Sequence, residues 1–359
     1  MFDGCAIFYR FPMELLAYQP IEYFLGVNTV LDRDNIGQLA RFKETLSGKE
    51  ICVANTHLLF NKQRGDVKLA QLAVLLANLD KECGPESARK CPYVICGDFN
   101  MQPYCLIYDF LIKGHLSFNN LRRADLSGQG GQGGPILQAN FMPSQANINR
   151  DCRFGVQKNG VVESSELNRW THPLKFASAY THMSHDHWPE VSTFHYNGAA
   201  NPDFLFYSVN SKTAEVSEGG AGGVTNVQEN PLQLVRHLAL PSELALRTTL
   251  GPWPNAVTPS DHIPLIADFV LHERNKMRSK QEDDFCCPTD ILIGFNIYGE
   301  LQVSEGGAGG VTNVQENPLQ LVRHLALPSE LALRTTLGPW PNAVTPSDHI
   351  PLIADFVLQ

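Results

Sequence analysis

Short apolar segments separated by polar ones predict buried strands at several points along the chain. Glu50–His57 is almost continuously apolar, which is typical of a strand that is buried on both faces. Tyr93–Cys96 has the same character, and Gly4–Arg10 has the pattern of an opening strand. Further strands are predicted in the second half of the chain, at Phe176–Tyr180, Val191–His195, Asp203–Tyr207 and His262–Leu271.

Two helices are predicted between these strands. Apolar residues recur at helical spacing from Val67 to Leu79, with Gly65-Asp66 as the expected N-cap. A second helix is predicted from Pro103 to Lys113 and is stopped by Gly114. The alternation of strands and helices indicates an α/β fold.

One segment of the chain occurs twice without a single change. Val216–Leu271 recurs as Val303–Leu358, and each copy ends in Ser-Asp-His followed by an apolar strand. Repeat proteins show drifted similarity over three or more units, so we interpret this segment as a duplicated cassette. Only one copy can fill the same place in a domain. We expect that copy to be the first, because Thr193–Tyr207 leads into it without a break.

This organisation predicts one domain over residues 1–271, with a surface insertion at 118–171 where glycines and polar residues interrupt the pattern. A charged linker is expected at 272–302. Residues 303–359, the duplicate of 216–271, are expected to lie outside the core.

Composition narrows the class of protein. The 359 residues carry a net charge of −9, which argues against a global positive field that would hold nucleic acid. The nine cysteines show no CxxC spacing and indicate reduced thiols of an intracellular protein, with Cys286-Cys287 only a weak metal or redox candidate. No apolar run has transmembrane length, and the start does not have the pattern of a signal peptide. We expect a cytoplasmic or nuclear protein without membrane contact; its oligomeric state is not indicated.

Three motifs expose polar groups where a predicted strand ends or begins: Asn55-Thr56-His57, Gly97–Asn100 and Ser260-Asp261-His262. Asp203 stands at the head of a further strand. Each motif alone is as well explained by a turn or a strand-end hydrogen bond. Together they supply carboxylates to activate water and polar groups to stabilise phosphoryl charge, which phosphoester cleavage requires. Mg²⁺ needs few protein ligands for this chemistry, and carboxylate and amide oxygens suit it.

Other polar residues leave alternatives open. Arg64 and Lys68 could contact RNA phosphates or lie on a solvent-exposed helix face. The segment from His182 to His187 could bind a transition metal, although a solvated loop is the simpler interpretation.

The motifs of this chain resemble the endonuclease/exonuclease/phosphatase superfamily, and within it the Angel-homologue branch. The resemblance is carried by Asp32–Gly37, Ala54–Leu59, Arg64–Leu69, Cys96–Asn100 and Thr193–His195, and it runs from about Gly4 to Leu271. It implies a four-layer α/β sandwich of the DNase I type, and Mg²⁺, with Mn²⁺ as an alternative. It also implies an RNA 3′ end as substrate, either as hydrolysis of a terminal 2′,3′-cyclic phosphate or as 3′-exonuclease and deadenylase activity, with protein partners in mRNA metabolism.

The resemblance also implies roles for single residues. Asp98 would orient or deprotonate the attacking water and contribute to the metal site together with Asp261. Asn100 would hold a phosphoryl oxygen, and His57 would stabilise the transition state or the leaving group. His262, oriented by Asp203, would contact the scissile phosphate. Asn35 and Arg64 would line the substrate cleft.

The chain departs from the family pattern at its start. The family begins with a strand carrying an Asn and a strand ending in Gln-Glu, whose Glu is the principal Mg²⁺ ligand. Neither precedes Asp32, and the Gln-Glu pairs at 228–229, 281–282 and 315–316 do not end a buried strand. We therefore expect a fold that is incomplete at the N-terminus and impaired Mg²⁺ binding. The alternative function is a catalytically inactive isoform that binds RNA or a protein.

Overall fold

The computed structural model describes residues 5–130, 134–138, 140–155, 169–184, 187–196, 198–210, 231–249, 251–255 and 260–272, and the backbone of three further strands at 289–295, 319–324 and 354–358. The helices are α1 (Gly65–Cys83), α2 (Leu106–Lys113) and α3 (Glu243–Thr249). The strands are β1 (Met13–Glu22), β2 (Ile36–Glu44), β3 (Glu50–His57), β4 (Tyr93–Asp98), β5 (His115–Ser117), β6 (Arg169–Thr171), β7 (Phe176–Ser178), β8 (Thr193–His195), β9 (Gly198–Ala200), β10 (Asp203–Ser208), β11 (Leu232–His237), β12 (Leu265–Leu271), β13 (Thr289–Phe295), β14 (Leu319–His324) and β15 (Ala354–Leu358).

A six-stranded sheet forms the centre of the described fold, in the order β1-β2-β3-β4-β10-β7. The pair β3–β4 is parallel and is connected through α1, whereas β10 runs antiparallel to β4. The carboxyl ends of β3 and β4 therefore meet at one edge of the sheet, and β10 begins at that same edge. This edge receives the polar motifs that end the two buried strands.

The two faces of the central sheet are covered differently. Helices α1 and α2 pack on one face through an apolar cluster that includes Leu72, Phe110 and the β10 residues Phe204 and Phe206. The neighbouring β10 residue Leu205 belongs instead to a second cluster, with Phe269 of the sheet β11-β12-β13. Successive side chains of a strand point to opposite faces, so β10 joins a helix layer, the central sheet and a second sheet.

Several predicted elements are confirmed. Strands β3 and β4 lie where the apolar segments predicted them, and α2 ends at Gly114 in the left-handed conformation, with φ of 76°. Helix α1 is confirmed, but its N-cap residue is Arg64, whose side chain makes no capping hydrogen bond. Asp66 is not the N-cap because it lies in the first turn of the helix. Its carboxylate accepts hydrogen bonds from Arg64 Nε and Nη2, at 2.9 and 3.1 Å.

The opening strand predicted at Gly4–Arg10 is wrong. Residues 5–10 form no strand, and the first strand is the longer β1, which pairs with β2 at the sheet edge. The segment still contacts the sheet, because the Tyr9 ring lies 4.9 Å from the Phe42 ring, although Phe8 and Tyr9 are largely exposed. Asn55 Nδ2 also donates a hydrogen bond to the Ala6 carbonyl at 2.8 Å.

The predicted surface insertion at 118–171 also contributes to the core. Within the described part of this range, Leu126, Leu137, Cys152 and Trp170 are buried in the cluster that covers α1 and α2. The low-complexity glycines concealed these scattered apolar positions, since none of them forms a periodic run.

The two cassette copies form the same strand pair. Leu232 pairs with Leu271 in β11–β12, and Leu319 pairs with Leu358 in β14–β15, with the same register irregularity in each. Strand β13 lies within the range predicted as a linker, 272–302, and pairs with β12. The domain boundaries stay a prediction. No helix in the described part of the chain is long and apolar enough to cross a membrane.

Candidate active site

Strand pairing places three of the predicted site residues side by side. His57 ends β3 and stands opposite Asp98, the last residue of β4, while Asp203 stands opposite Asp98 from the start of β10. His57 Nε2 lies 3.6 Å from Asp98 Oδ2. The motifs are far apart in sequence, so only the sheet register brings them together.

His262 joins this group from the cassette. Its Nδ1 donates a hydrogen bond to Asp203 Oδ2 at 2.8 Å, and Ser192 Oγ donates to the same oxygen at 2.6 Å. A bridge between Thr193 and His262, with Ile263 N donating to the Ser192 carbonyl at 2.9 Å, holds the cassette at this position. The predicted neighbour Asp261 is anchored through its backbone carbonyl, which accepts from Thr193 Oγ1 at 2.7 Å.

The protonation of His262 follows from its surroundings. Burial opposes the charged imidazolium, but the Asp203 carboxylate, by its charge and its hydrogen bond, together with Asp98 and Asp261, raises the pKa of His262 to about 9. The side chain is therefore a cation at neutral pH. A buried cation at the sheet edge attracts an anionic ligand group.

The surroundings of Asp98 disfavour its charged form, in contrast to those of His262. Burial and the neighbouring Asp203 carboxylate raise the pKa of Asp98 to about 6, while His57, His262 and the Asn100 N–H favour the charged form. Asp98 Oδ1 accepts the Asn100 N–H at 2.7 Å. A carboxylate with a raised pKa is ionised at neutral pH and remains basic enough to accept a proton.

The turn after β4 is fixed by its backbone. Gly97 has φ of +147°, and a Cβ at this position would overlap the Thr56 carbonyl oxygen. Asn100 adopts φ of 50°, and its Nδ2 donates to the Leu58 carbonyl at 2.9 Å. The turn thereby joins the ends of β3 and β4 and sets the direction of Asp98.

Lys68 supports this turn from inside the protein, a role that was not predicted from the sequence. Its Nζ donates to the Asn100 carbonyl at 2.5 Å and to Gln129 Oε1 at 2.8 Å, and the side chain is fully buried. Burial lowers the pKa of Lys68 to about 8. The predicted solvent-exposed face is therefore wrong, and an RNA phosphate contact of Lys68 stays a prediction. A lysine among the apolar positions of α1 was the available signal.

The two predicted cleft residues are engaged within the protein. Asn35 Nδ2 donates to the His57 carbonyl at 3.3 Å, and Gln71 Nε2 donates to Asn35 Oδ1 at 3.0 Å. Asn35 therefore contacts the backbone of a site residue. The Arg64 guanidinium pairs with Asp66, and its contact with a substrate stays a prediction.

The segment from His182 to His187 is described only in part, because residues 185 and 186 lie outside the described residues. His182 itself is buried against the rings of Tyr108 and Phe204, which does not agree with a solvated loop. Burial lowers the pKa of His182 to about 4.

The donor set suits a hard divalent cation. Ligand atoms of Asp98, Asp203 and His262 all lie within 4.8 Å of one another. A protonated His262 has no lone pair for a metal ion, so the two carboxylates are the available donors. Asp203 Oδ1 is buried without a hydrogen-bond partner among the described residues. Carboxylate oxygens of this kind are the ligands that Mg²⁺ prefers. The Gln-Glu pairs rejected in the sequence analysis lie outside the described residues.

The chain is similar in sequence to known proteins of the family that these motifs resemble. Protein angel homolog 2 of Bos taurus is 33% identical over 296 residues, covering 75% of this chain and 54% of that protein. The Danio rerio protein of the same name is 35% identical over 287 residues, covering 75% and 49%. The chain thus spans about half the length of these relatives. No protein-family model matches the chain.

The fold is shared as well. A crystal structure of ANGEL2, described as a 2′,3′-cyclic phosphatase in complex with adenosine-2′,3′-vanadate, superposes with a TM-score of 0.61 at 35% identity. The superposition covers 72% of this chain and 68% of that chain. The α/β fold around a central sheet is therefore the DNase I-like fold of that structure. By sequence and by fold, this chain belongs to the Angel-homologue branch of the endonuclease/exonuclease/phosphatase superfamily.

Proposed function

We propose that this chain is a Mg²⁺-dependent phosphoesterase that hydrolyses the terminal 2′,3′-cyclic phosphate of RNA. The observation that carries the proposal is the contact of the Asp203–His262 pair with Asp98 at one edge of the central sheet. It sets a cationic imidazole beside a basic carboxylate, which is the pair that phosphoester hydrolysis requires. The similar structure of ANGEL2 carries the name of a 2′,3′-cyclic phosphatase, which favours this substrate.

Each site residue has one part in the proposed reaction. Asp98 accepts a proton from water as the water oxygen bonds to phosphorus. One ester bond between phosphorus and a ribose oxygen breaks; His57 stabilises this leaving oxygen by a hydrogen bond, and the oxygen takes its proton from solvent water. The His262 cation binds the phosphoryl oxygens, and Asp203 holds the His262 ring in place. The amide of Asn100, which donates one hydrogen to Leu58, has a second hydrogen for a phosphoryl oxygen.

A metal ion would add charge neutralisation. Asp98 and Asp261 are the proposed holders of Mg²⁺, with Mn²⁺ as an alternative, and the ion would stabilise the charge that develops on the phosphoryl oxygens. The cluster formed by Asp98, Asp203 and His262 contains no glutamate among the described residues. We therefore propose that the affinity for Mg²⁺ is low and the turnover slow.

The test uses the full chain and a short RNA that ends in a 2′,3′-cyclic phosphate. We expect Mg²⁺-dependent opening of the cyclic phosphate, measured by chromatography of the products. In Asp98→Ala this activity should be lost. Asp109→Ala is the matched control, because Asp109 is a half-buried residue of α2 whose carboxylate forms a salt bridge with Lys113. RNA binding, measured by fluorescence anisotropy, is expected to survive in both variants.

Three results would contradict the proposal in different ways. Shortening of a poly(A) RNA with a free 3′-hydroxyl, without cyclic-phosphate opening, would favour the deadenylase alternative. Binding of RNA without hydrolysis at any Mg²⁺ or Mn²⁺ concentration would favour the inactive, RNA-binding alternative. Equal activity in the wild-type chain and in Asp98→Ala would place the chemistry elsewhere.

A further inference from the structure

Three cysteines outside the candidate active site converge inside the protein. Cys52 belongs to β3, Cys83 is the last residue of α1, and Cys91 lies just before β4. All three side chains are buried, and their sulfur atoms lie within 4.8 Å of one another. The three thiols come from separate elements, so the fold brings together three cysteines that no short sequence motif indicates.

One sulfur–sulfur separation in the cluster is close to that of two ligands of one metal ion. Cys91 Sγ lies 3.6 Å from Cys52 Sγ. Thiolates bound to a tetrahedral ion at ~2.3 Å stand ~3.8 Å apart, whereas disulfide sulfurs stand ~2.05 Å apart. The observed separation is therefore close to that of two metal ligands, and a disulfide would require the two sulfurs to approach by ~1.5 Å.

A cation beside the cluster is already paired with other groups. Arg41 is the nearby cation, but it is paired with Glu50 at 2.6 Å and with Glu82 at 2.8 Å. Its charge is thus already matched, and thiolates in this place need a metal ion.

We propose that Cys52, Cys83 and Cys91 form a three-thiolate site for a soft metal ion, with Zn²⁺ as the occupant. Thiolate ligands select soft or borderline ions such as Zn²⁺ and Cu⁺ over Mg²⁺. Zn²⁺ leaves one net negative charge on three thiolates where Cu⁺ leaves two, so Zn²⁺ suits a buried site better.

The site lies away from the candidate active site. Cys52 is near the start of β3 and His57 ends the same strand, so the two are separated by ~16 Å along the sheet. A metal here would tie β3 to the end of α1 and to the segment before β4. Its role would be structural, and its test is independent of the proposed hydrolysis.

The experiment measures metal on the full chain, purified with a reductant and without chelator. We expect about one Zn²⁺ per chain by elemental mass spectrometry. Replacement by Co²⁺ is expected to give a thiolate charge-transfer absorption, which an oxygen-ligand site such as that of Asp98 would not produce. In Cys91→Ala both signals should disappear, with zinc affinity lowered by more than ~100-fold. Cys152→Ala is the control, since Cys152 is a buried thiol of the same core outside the cluster.

Each other outcome has a defined meaning. If Cys91→Ala fails to fold, titration of the wild-type chain with Co²⁺ replaces it, and saturation of the thiolate charge-transfer absorption at one equivalent supports the proposal. Bound copper in place of zinc would overturn the assignment of Zn²⁺ as the occupant. Absence of bound metal and of the Co²⁺ absorption would overturn the site itself. So would a native mass lower by two hydrogen atoms in the wild type but not in Cys91→Ala, because that shows a disulfide.

Discussion

His262 Nδ1 lies 2.8 Å from Asp203 Oδ2, and this hydrogen bond joins the duplicated cassette to the first residue of β10. The partner oxygen also accepts from Ser192 Oγ, so the carboxylate is held from two sides. A buried carboxylate that orients an imidazole also keeps it protonated. The charge of His262, and with it the pH range of the proposed reaction, depends on Asp203.

The rate of cyclic-phosphate hydrolysis should follow a bell-shaped pH profile. The active form has Asp98 ionised and His262 protonated, so kcat/KM should rise as pH passes about 6 and fall as pH passes about 9. Asp203→Asn removes the charge that raises the pKa of His262, and the alkaline limb should move to lower pH. Asp268→Asn, a control in β12, should leave both limbs in place; an unmoved alkaline limb in Asp203→Asn would contradict the assignment.

The duplicated cassette allows a control within one chain. His262→Ala should lower kcat by about 100-fold or more, because it removes the cation that binds phosphate. The same substitution in the second copy, His349→Ala, should leave the activity unchanged if the first copy completes the domain. Equal losses in both variants, measured with the same RNA, would show that the second copy can take that place.

Asp98→Asn should stabilise the protein while abolishing its activity. The folded-state pKa of Asp98 lies at about 6, above its usual 3.8, so the folded chain binds more protons between these values. This carboxyl therefore lowers stability as pH rises from about 4 to 6, and its cost is fully present at neutral pH. Removing the charge should raise the free energy of unfolding by about 1–3 kcal/mol at neutral pH.

Urea unfolding at neutral pH and near pH 4 measures this effect. The gain in Asp98→Asn should shrink at the lower pH, where the wild-type carboxyl is protonated. Asp66→Asn provides the contrast, because Asp66 is buried beside Arg64 and its loss leaves that partner unpaired. A loss of stability in both variants would contradict the electrostatic cost assigned to the ionised Asp98 carboxylate.

Lys68→Met should slow the reaction without changing how salt affects RNA binding. The substitution leaves the Asn100 carbonyl without the Lys68 donor and loosens the turn that carries Asp98, so kcat should fall by about tenfold or more. A buried ammonium group cannot neutralise an RNA phosphate, and the salt dependence of affinity should stay the same. The exposed control Lys62→Met should keep the wild-type kcat. A shallower salt dependence in Lys68→Met would support the RNA-contact interpretation.

Gly97→Ala should prevent normal folding. An added Cβ would overlap the Thr56 carbonyl oxygen of the neighbouring strand, and φ of +147° disfavours any side chain. We expect a loss of about 3 kcal/mol or more, measured by thermal or urea unfolding. Gly198→Ala separates the two causes, because its φ is +132° but its Cβ would meet no heavy atom within 4 Å. Similar losses in both variants would mean that backbone conformation, rather than overlap, dominates.

The local elements could be predicted from the sequence because their signals are local. The apolar runs of β3 and β4, the helical spacing of α1 and the glycine that ends α2 depend on neighbours within a few residues. The polar motifs at the strand ends, read together, also indicated the chemistry. The opening strand was predicted wrongly because a short apolar segment can pack on a sheet without joining it.

The tertiary structure decided which of these residues meet. Asp203 reaches Asp98 because β10, far along the chain, pairs with β4, and His262 reaches Asp203 because the cassette bridges to β8. Lys68 was mistaken for a surface residue since its polar partners, the Asn100 carbonyl and Gln129, lie on other segments. By itself the sequence determined the strand ends and the residue types of a phosphoesterase site. Long-range strand pairing and burial decided their register, their protonation and the convergence of three cysteines, because these depend on contacts that no local pattern encodes.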